Sequence, residues 1–418
     1  MKTMDSLTRP YPTGPWKSAA ESAGLLREGV PAPTIFEEMT SLAVRHHAVN
    51  LGQGFPDTDG PEWIRQRAAE LVMTPGATNA NQYALGTGLI ELRRAISEHQ
   101  QRHYGLYYSP EDQVLITTGA TEGIAAALLA LVKPGDEVIT FEPFYDSYAA
   151  MIALRGATQV VVPMNAPEFL PGPAALEAAI TPRTSMIIIN TPHNPTGSIL
   201  TAQLRDALLE IAHRHDLWVL SDEVYEHLVY DGAHLPMASG STASDGTEVA
   251  SSKVVTVSSA GKAFSLTGWK IGWVMGAPEV VAAIRAVKQF LTYSSGPAYQ
   301  HAIAHALREG DDYLREQRDG FRHRRDELVA ALRDAGLDPV VPASGYFAVV
   351  DLEPWGRNDA TEAARWLAES VGIVGIPVTA LCRPWLSDAP LQSWMRFAFC
   401  KQPSVIAAAR QALNTRIR

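Results

Sequence analysis

The chain has 418 residues, 46% of them hydrophobic, enough for a large buried core and for two domains or one large domain with a smaller companion. Its formal net charge of -10, with 19% of residues charged, argues against a general electrostatic attraction to nucleic acid or an anionic membrane. The two cysteines, Cys382 and Cys400, stand in no CxxC or Cys/His spacing, so neither a disulfide framework nor a structural zinc site is expected.

The start, MKTMDSLTRPYPTGPWKSAAES, has no apolar stretch of signal-peptide length, and later apolar stretches are broken before they reach membrane-spanning length. A soluble, cytoplasmic enzyme is the expectation. Residues 1–33, rich in Pro, Gly and Ser, read as a poorly packed arm. Ile35 to Val44 has helical spacing and leads into the turn-rich VNLGQGFPD. From about 60 to 305, β-branched runs alternate with helical patterns: QVLITTG, EVITFE, QVVVP, SMIIIN, LWVLSDE and KVVTVSS. Continuous apolar strands separated by helices predict a largely parallel sheet covered on both faces. After about 305, long helical patterns (Asp311 to Ala335, Ala360 to Val371) surround the short runs YFAVVDL and RFAF, and a terminal helix follows. The expected organisation is an arm (1–33), a large domain (60–305), and a small α+β domain made by 34–59 with 306–418.

Ligands of such sheets gather at the carboxyl ends of the strands. The first run ends in GATEG, where a helix begins; its free amides suit an anion, although such turns are also packing devices. It is neither a GxGxxG nor a P-loop pattern. The fourth run ends in NTPHNPTG, a rigid turn holding Asn194, with His193 as a bystander. Asp222 ends an apolar run, where an ionised carboxylate needs a cationic partner. Lys262 lies in a small-residue turn past the sixth run; it is either an exposed loop lysine or a partly dry one with a depressed pKa that can attack an aldehyde.

Taken together, NQYALGTG, TTGATEG, EPFYDSY, HNPTG, SDEVYEHL, SSAGKAFSLTGWKIGW and RFAFCK resemble, in order and spacing, the class I/II aminotransferases of the fold-type I pyridoxal-phosphate (PLP) enzymes. The resemblance spans Leu51 to Lys401. Within the family, the chain is similar to kynurenine, glutamine and methionine aminotransferases and to actinobacterial N-succinyldiaminopimelate aminotransferases. It implies an α/β fold with a mostly parallel seven-stranded sheet in the large domain.

The resemblance also implies roles. Lys262 matches the lysine that bonds covalently to PLP, and Asp222 the partner of its ring nitrogen. Tyr225 and Asn194 match the groups on the ring's 3-oxygen, and Tyr145 the aromatic residue on the ring face. Ala120, Thr121, Ser259 and Lys270 match the phosphate cup, with lysine where many relatives carry arginine. Lysine supplies the charge there but not the two-pronged fork. Tyr83 matches a tyrosine that reaches the phosphate of a neighbouring subunit, implying a homodimer. Arg396 matches the arginine on the substrate carboxylate, Gly54 the glycine beside it, and Phe36 a pocket aromatic; Asn194 borders the substrate as well.

The implied activity is transfer of an amino group between an L-amino acid and a 2-oxo acid, 2-oxoglutarate being the expected acceptor, by ping-pong kinetics. The same scaffold also serves PLP-dependent carbon–sulfur β-lyases, which are the alternative. A DNA-binding regulator is not expected, because the stretch before Ile35 is short for a winged helix and the chain is acidic. No metal is expected; the pairs His46/His47 and His213/His215 read as surface or cap residues.

Overall fold

The computed structural model describes residues 11–74, 76, 79–239, 253–383 and 391–416. The first ten residues of the expected arm lie outside the described residues. The six β-branched runs all form strands: β1 (Val114–Thr118), β2 (Glu137–Glu142), β3 (Thr158–Pro163), β4 (Thr184–Asn190), β5 (Trp218–Asp222) and β6 (Val254–Ser259). A seventh, β7 (Ile271–Met275), comes from the WKIGW stretch, and the sheet order is β1-β7-β6-β5-β4-β2-β3. Pairings from β3 through to β6 are parallel, whereas β7 is antiparallel to both neighbours. The link into β7 consists of one helical turn (Ala260–Ala263) and a 3-10 turn (Thr267–Trp269), too little chain for a crossover, so the strand returns beside β6.

Apart from the edge strand β3, the parallel strands are buried along most of their length because helices cover both faces, and this allows residues such as Ile187–Ile189 to sit side by side in sequence. A second, three-stranded sheet follows: β8 (Phe347–Asp351), β9 (Ile376–Pro377) and β10 (Trp394–Ala398), in the order β8-β10-β9. Its core joins residues far apart in the chain, with Met39 and Ala43 packed in one cluster with Leu332, Phe397 and Ile406. The helix Ile35–His46 starts with a capping box, Thr34 receiving the Glu37 N–H and Glu37 the Thr34 N–H, and this places Phe36 in its first turn.

The arm is more ordered than its composition suggests. The short helix Trp16–Ser22 contacts the helix Ser147–Arg155, and Leu26–Arg27 pairs with Val30–Pro31. Nothing in that helix is buried, so its sequence carries no apolar periodicity to announce it. Among the described residues no helix is long and apolar enough to cross a membrane.

Behind the end of β5 lies a buried polar network. Glu223 accepts from Ser221 Oγ at 2.7 Å and the Met237 N–H at 3.0 Å, and it meets His234 at 2.9 Å. Glu226 accepts from Ser258 Oγ at 2.6 Å and Gln100 Nε2 at 3.1 Å. His99 and His227 share one proton between Nε2 atoms 2.8 Å apart. These contacts pin the segment after β5 to the helix Ile90–Tyr104. His99, Glu226 and His227 bring possible ligand atoms within 4.8 Å of one another; both Nε2 atoms and both Glu226 oxygens take part in the hydrogen bonds just described.

Burial keeps both imidazoles neutral, pushing His227 down to about 3 and lowering His99 as well. The unfolded chain therefore binds more protons than the folded one between about pH 6.5 and 3. Stability carried by this pair is complete above pH 6.5 and is lost as pH falls through that window. Urea unfolding from pH 7 to 4.5 should show it, with each histidine adding a slope of up to about 1.4 kcal/mol per pH unit. His227→Gln should flatten the profile; an unchanged slope would remove the pair from the account.

Candidate active site

The carboxyl ends of β1, β4, β5 and β6 open into one cavity of about 390 Å³, closed on its far side by residues of the second sheet and of the chain before residue 60. Every residue to which the resemblance gave a role in the site lines it except Tyr83, which is 85% exposed and stands edge-on to Tyr293.

Asp222 is the last residue of β5. Its Oδ2 accepts from Tyr148 Oη at 2.6 Å, and its Oδ1 lies 3.5 Å from the Val224 nitrogen. Among the described residues no cation bonds to it directly. Burial pushes its carboxyl up to about 6. Two strands meet here: Asp222 pairs with Val257 of β6, so the turn carrying Lys262 emerges beside it. Lys262 Nζ donates to Tyr346 Oη at 2.8 Å and lies 3.4 Å from the Gly54 carbonyl, which Tyr346 Oη itself reaches at 2.7 Å. Burial is the main cause that brings the Lys262 ammonium down to about 8, against the opposing pull of Asp222. Tyr225, on the turn after β5, is fully enclosed, and burial raises its phenol.

The helix Gly119–Leu131 begins where β1 ends, and no side chain caps its first turn. Glu122 instead accepts the Thr118 N–H at 2.6 Å, and Gly119, Ala120 and Thr121 of that turn, whose amides have no intrahelical acceptor, line the cavity. Lys270, in the left-handed conformation at φ 54°, lays its side chain over this turn. A Cβ on Gly119 would stand 3.1 Å from Lys270 Nζ, so the lysine occupies space that only glycine leaves. Ser259 ends β6 alongside. Uncapped amides, a lysine and a hydroxyl make a cup suited to a dianionic phosphate.

Arg396 is carried by β10, where it pairs with Val349 and Ile376. It is 2% exposed; Nη1 donates to Asn194 Oδ1 at 3.2 Å and Nη2 to the Gly52 carbonyl at 3.1 Å, while the buried Nε has no partner. The guanidinium lies 4.0 Å from the ring centre of Phe347 and 5.6 Å from that of Phe36. Burial lowers its pKa to about 10, so it remains a cation with unspent donors. Asn194 is oriented by its own N–H, which donates to Asn190 Oδ1 at 2.7 Å. His193, its neighbour, lies outside the cavity and bonds to Thr196 Oγ1 at 2.7 Å.

Two contacts escaped the reading of the sequence. Tyr346 appeared there only as the first residue of the run YFAVVDL, yet its hydroxyl holds Lys262. Tyr148, inside EPFYDSY, supplies the bond to Asp222. A polar tip on an otherwise buried aromatic residue was the available signal, since such groups require a partner.

The family model for aminotransferase class I and II matches residues 46–413. The chain is 45% identical over 391 residues to a probable N-succinyldiaminopimelate aminotransferase DapC of Mycobacterium tuberculosis, covering 92% of this chain and 96% of the relative. It is 37% identical over 383 residues to a methionine aminotransferase of Escherichia coli, covering 91% and 95%. The solved structure of the Mycobacterium tuberculosis N-succinyldiaminopimelate aminotransferase superposes with a TM-score of 0.85 at 44% identity, covering 91% of this chain and 97% of that one.

The close approach at Gly54 is testable. A Cβ there would stand 2.7 Å from the Phe347 ring and 3.8 Å from Arg396 Nη2. Gly54→Ala should lower the free energy of unfolding by about 1–3 kcal/mol through overpacking. Adding Phe347→Leu should recover part of the loss. Strictly additive effects in a double-mutant cycle would contradict the contact.

Proposed function

The chain belongs to the class I and II aminotransferases, a family of PLP-dependent enzymes with the α/β fold of fold type I, and we propose that this transaminase works with PLP held at Lys262. The reading rests on one observation: a buried lysine and a buried carboxylate, bonded to no cation among the described residues, face the same cavity, between an anion cup and a buried arginine.

The residues fit that cofactor. The first turn of Gly119–Leu131, with Ala120, Thr121, Ser259 and Lys270, would hold the phosphate. Asp222 would meet the ring nitrogen, which resolves the burial of its charge. Tyr225 and Asn194 would bond the ring's 3-oxygen, and Tyr145 would cover the ring face. When bound, PLP supplies an electron sink for the carbon that carries the amino group.

The chain's own groups do the rest. Arg396 holds the α-carboxylate of the donor, its unpartnered Nε leaving an edge for a second hydrogen bond. Phe36 and Gly54 border that carboxylate. Lys262, lowered to about 8, takes a proton from Cα and can return it, because both of its protonation states are populated near neutral pH. Tyr346 and the Gly54 carbonyl aim the amine while it does so. Donor and acceptor occupy the same place in turn, so the 2-oxo acid product leaves before 2-oxoglutarate enters, which is ping-pong kinetics. Donors of the N-succinyldiaminopimelate, methionine or kynurenine type follow from the relatives.

The same reading makes the enzyme a homodimer in which Tyr83 reaches the partner subunit's phosphate. Tyr83 stands against Tyr293, and these two, with Leu85, Phe290 and Leu291, are exposed apolar side chains that a second copy would cover. It also takes 34–59 with 306–418 as a small domain closing on 60–305. Two buried free thiols accord with a reducing, cytoplasmic setting.

Borohydride treatment of the PLP-loaded protein should fix the cofactor's mass to the peptide containing Lys262; attachment at another lysine would overturn the assignment. Lys262→Ala should still bind PLP but lose at least about a thousandfold in transamination, as removal of a proton-transferring nucleophile does. For the assembly, sedimentation should give a dimer, and Phe290→Asp should shift it toward monomer. A wild-type monomer at micromolar concentration would exclude the shared site.

A further inference from the structure

Tyr83 stands on a surface segment, and so does Tyr293, the ring it meets edge-on. Two buried side chains staple these segments together from beneath. Lys288 is the last residue of the helix Pro278–Lys288 and belongs to its buried face, with Val280, Val281 and Ile284. It is 1% exposed, and its Nζ donates to the Gly86 carbonyl at 3.2 Å and to the Tyr293 carbonyl at 3.0 Å. Gln300, near the start of the helix Pro297–Glu309, is fully buried. Its Oε1 accepts the Leu89 N–H at 2.8 Å, and its Nε2 donates to the Ser295 carbonyl at 2.9 Å and to Ser295 Oγ at 3.1 Å.

The two staples join the same pair of segments, 86–89 and 293–295, at different points. The first segment is also fixed to β1. The Thr87 carbonyl accepts the Ile116 N–H at 3.1 Å, and a Cβ on Gly88 would stand 2.1 Å from Ile116 Cγ1, a space that only glycine leaves. Taking an ammonium out of water is costly, and Lys288 directs this one at main-chain carbonyls of surface segments. Burial lowers its pKa, against the pull of Glu122, the carboxylate that accepts the Thr118 N–H beside the phosphate cup. An apolar side chain would fill the same place in the core; what the ammonium adds is a fixed geometry for two segments whose side chains Tyr83, Leu85 and Tyr293 are exposed.

We propose that Lys288 and Gln300 are positioning residues for Tyr83. They lock the two segments into one rigid unit, so that the Tyr83 hydroxyl meets the partner subunit's phosphate already oriented. The ordering of this unit is complete on folding and adds no cost when the cofactor binds. The inference rests on the homodimer reading that sends Tyr83 to that phosphate, and it adds the residues that aim it.

PLP and pyridoxal, which lacks the phosphate, separate aiming from general support. Their dissociation constants for the full chain are measured by equilibrium dialysis at concentrations where sedimentation shows the dimer. Tyr83→Phe should weaken PLP roughly ten- to hundredfold, the span for a hydrogen bond to a charged group, and leave pyridoxal within about twofold. Lys288→Met and Gln300→Leu should each weaken PLP by about five- to tenfold, again sparing pyridoxal, and should cause no further loss in the Tyr83→Phe background. Lys288→Arg, which keeps a cationic donor, should recover part of the loss. The staples act on different atoms, so one variant decides the matter if the other does not fold. Equal weakening of both ligands, staple losses that add in full to that of Tyr83→Phe, or no loss from either staple would overturn the proposal and leave the shared site standing. If Tyr83→Phe leaves PLP binding unchanged, the placing of Tyr83 at the partner subunit's phosphate fails and the proposal falls with it.

Discussion

A carboxylate at the buried end of a parallel strand faces a lysine that burial has partly discharged, and the rest of the site is arranged around that confrontation. Asp222 is shifted up to about 6 and Lys262 down to about 8, and the main cause is the same for both: removal from water. Their mutual attraction opposes each shift without cancelling it. An uncompensated buried charge costs several kcal/mol, so the pocket is built to receive a group that supplies the missing partner. Hydrogen bonding between β5 and β6 sets the pair side by side, and the short link into β7 brings Lys270 back to the same edge.

Such a pocket needs rigid backing, and the segment after β5 provides it by splitting its charges. Asp222 and Tyr225 face the cavity, whereas Glu223 and Glu226 face the polar network that ties β5 and β6 to the helix Ile90–Tyr104. The network's acceptors are met by serine, glutamine, histidine and backbone donors, the condition under which buried polar groups rigidify rather than destabilise. His99 Nδ1 and His234 Nδ1 are buried atoms left unpaired in it, a modest penalty within an otherwise satisfied set.

The second sheet contributes the opposite wall. Arg396 reaches the cavity from β10, flattened against Phe347 of β8, and Gly54 is bare because that ring needs the space. Groups from the start, middle and end of the chain therefore meet on one substrate-sized volume.

Continuous runs such as SMIIIN announce buried parallel strands because only a doubly covered sheet can hide them, and the motifs at their ends draw attention to Asp222 and Lys262, whereas Arg396 enters only through the family resemblance. The direction of β7 was less legible, being decided by the length of a link rather than by the strand's own residues. The helix Trp16–Ser22, the histidine pair, and the bonds from Tyr346 to Lys262 and from Tyr148 to Asp222 were hidden for a related reason: each depends on a partner distant in the chain. Local pattern by itself determined the elements, the family and the chemical identity of the central residues, because periodicity and motif are properties of neighbouring residues. Which atoms face one another and which charges stay unpaired were decided by tertiary packing, because those are relations between segments that only folding brings into contact.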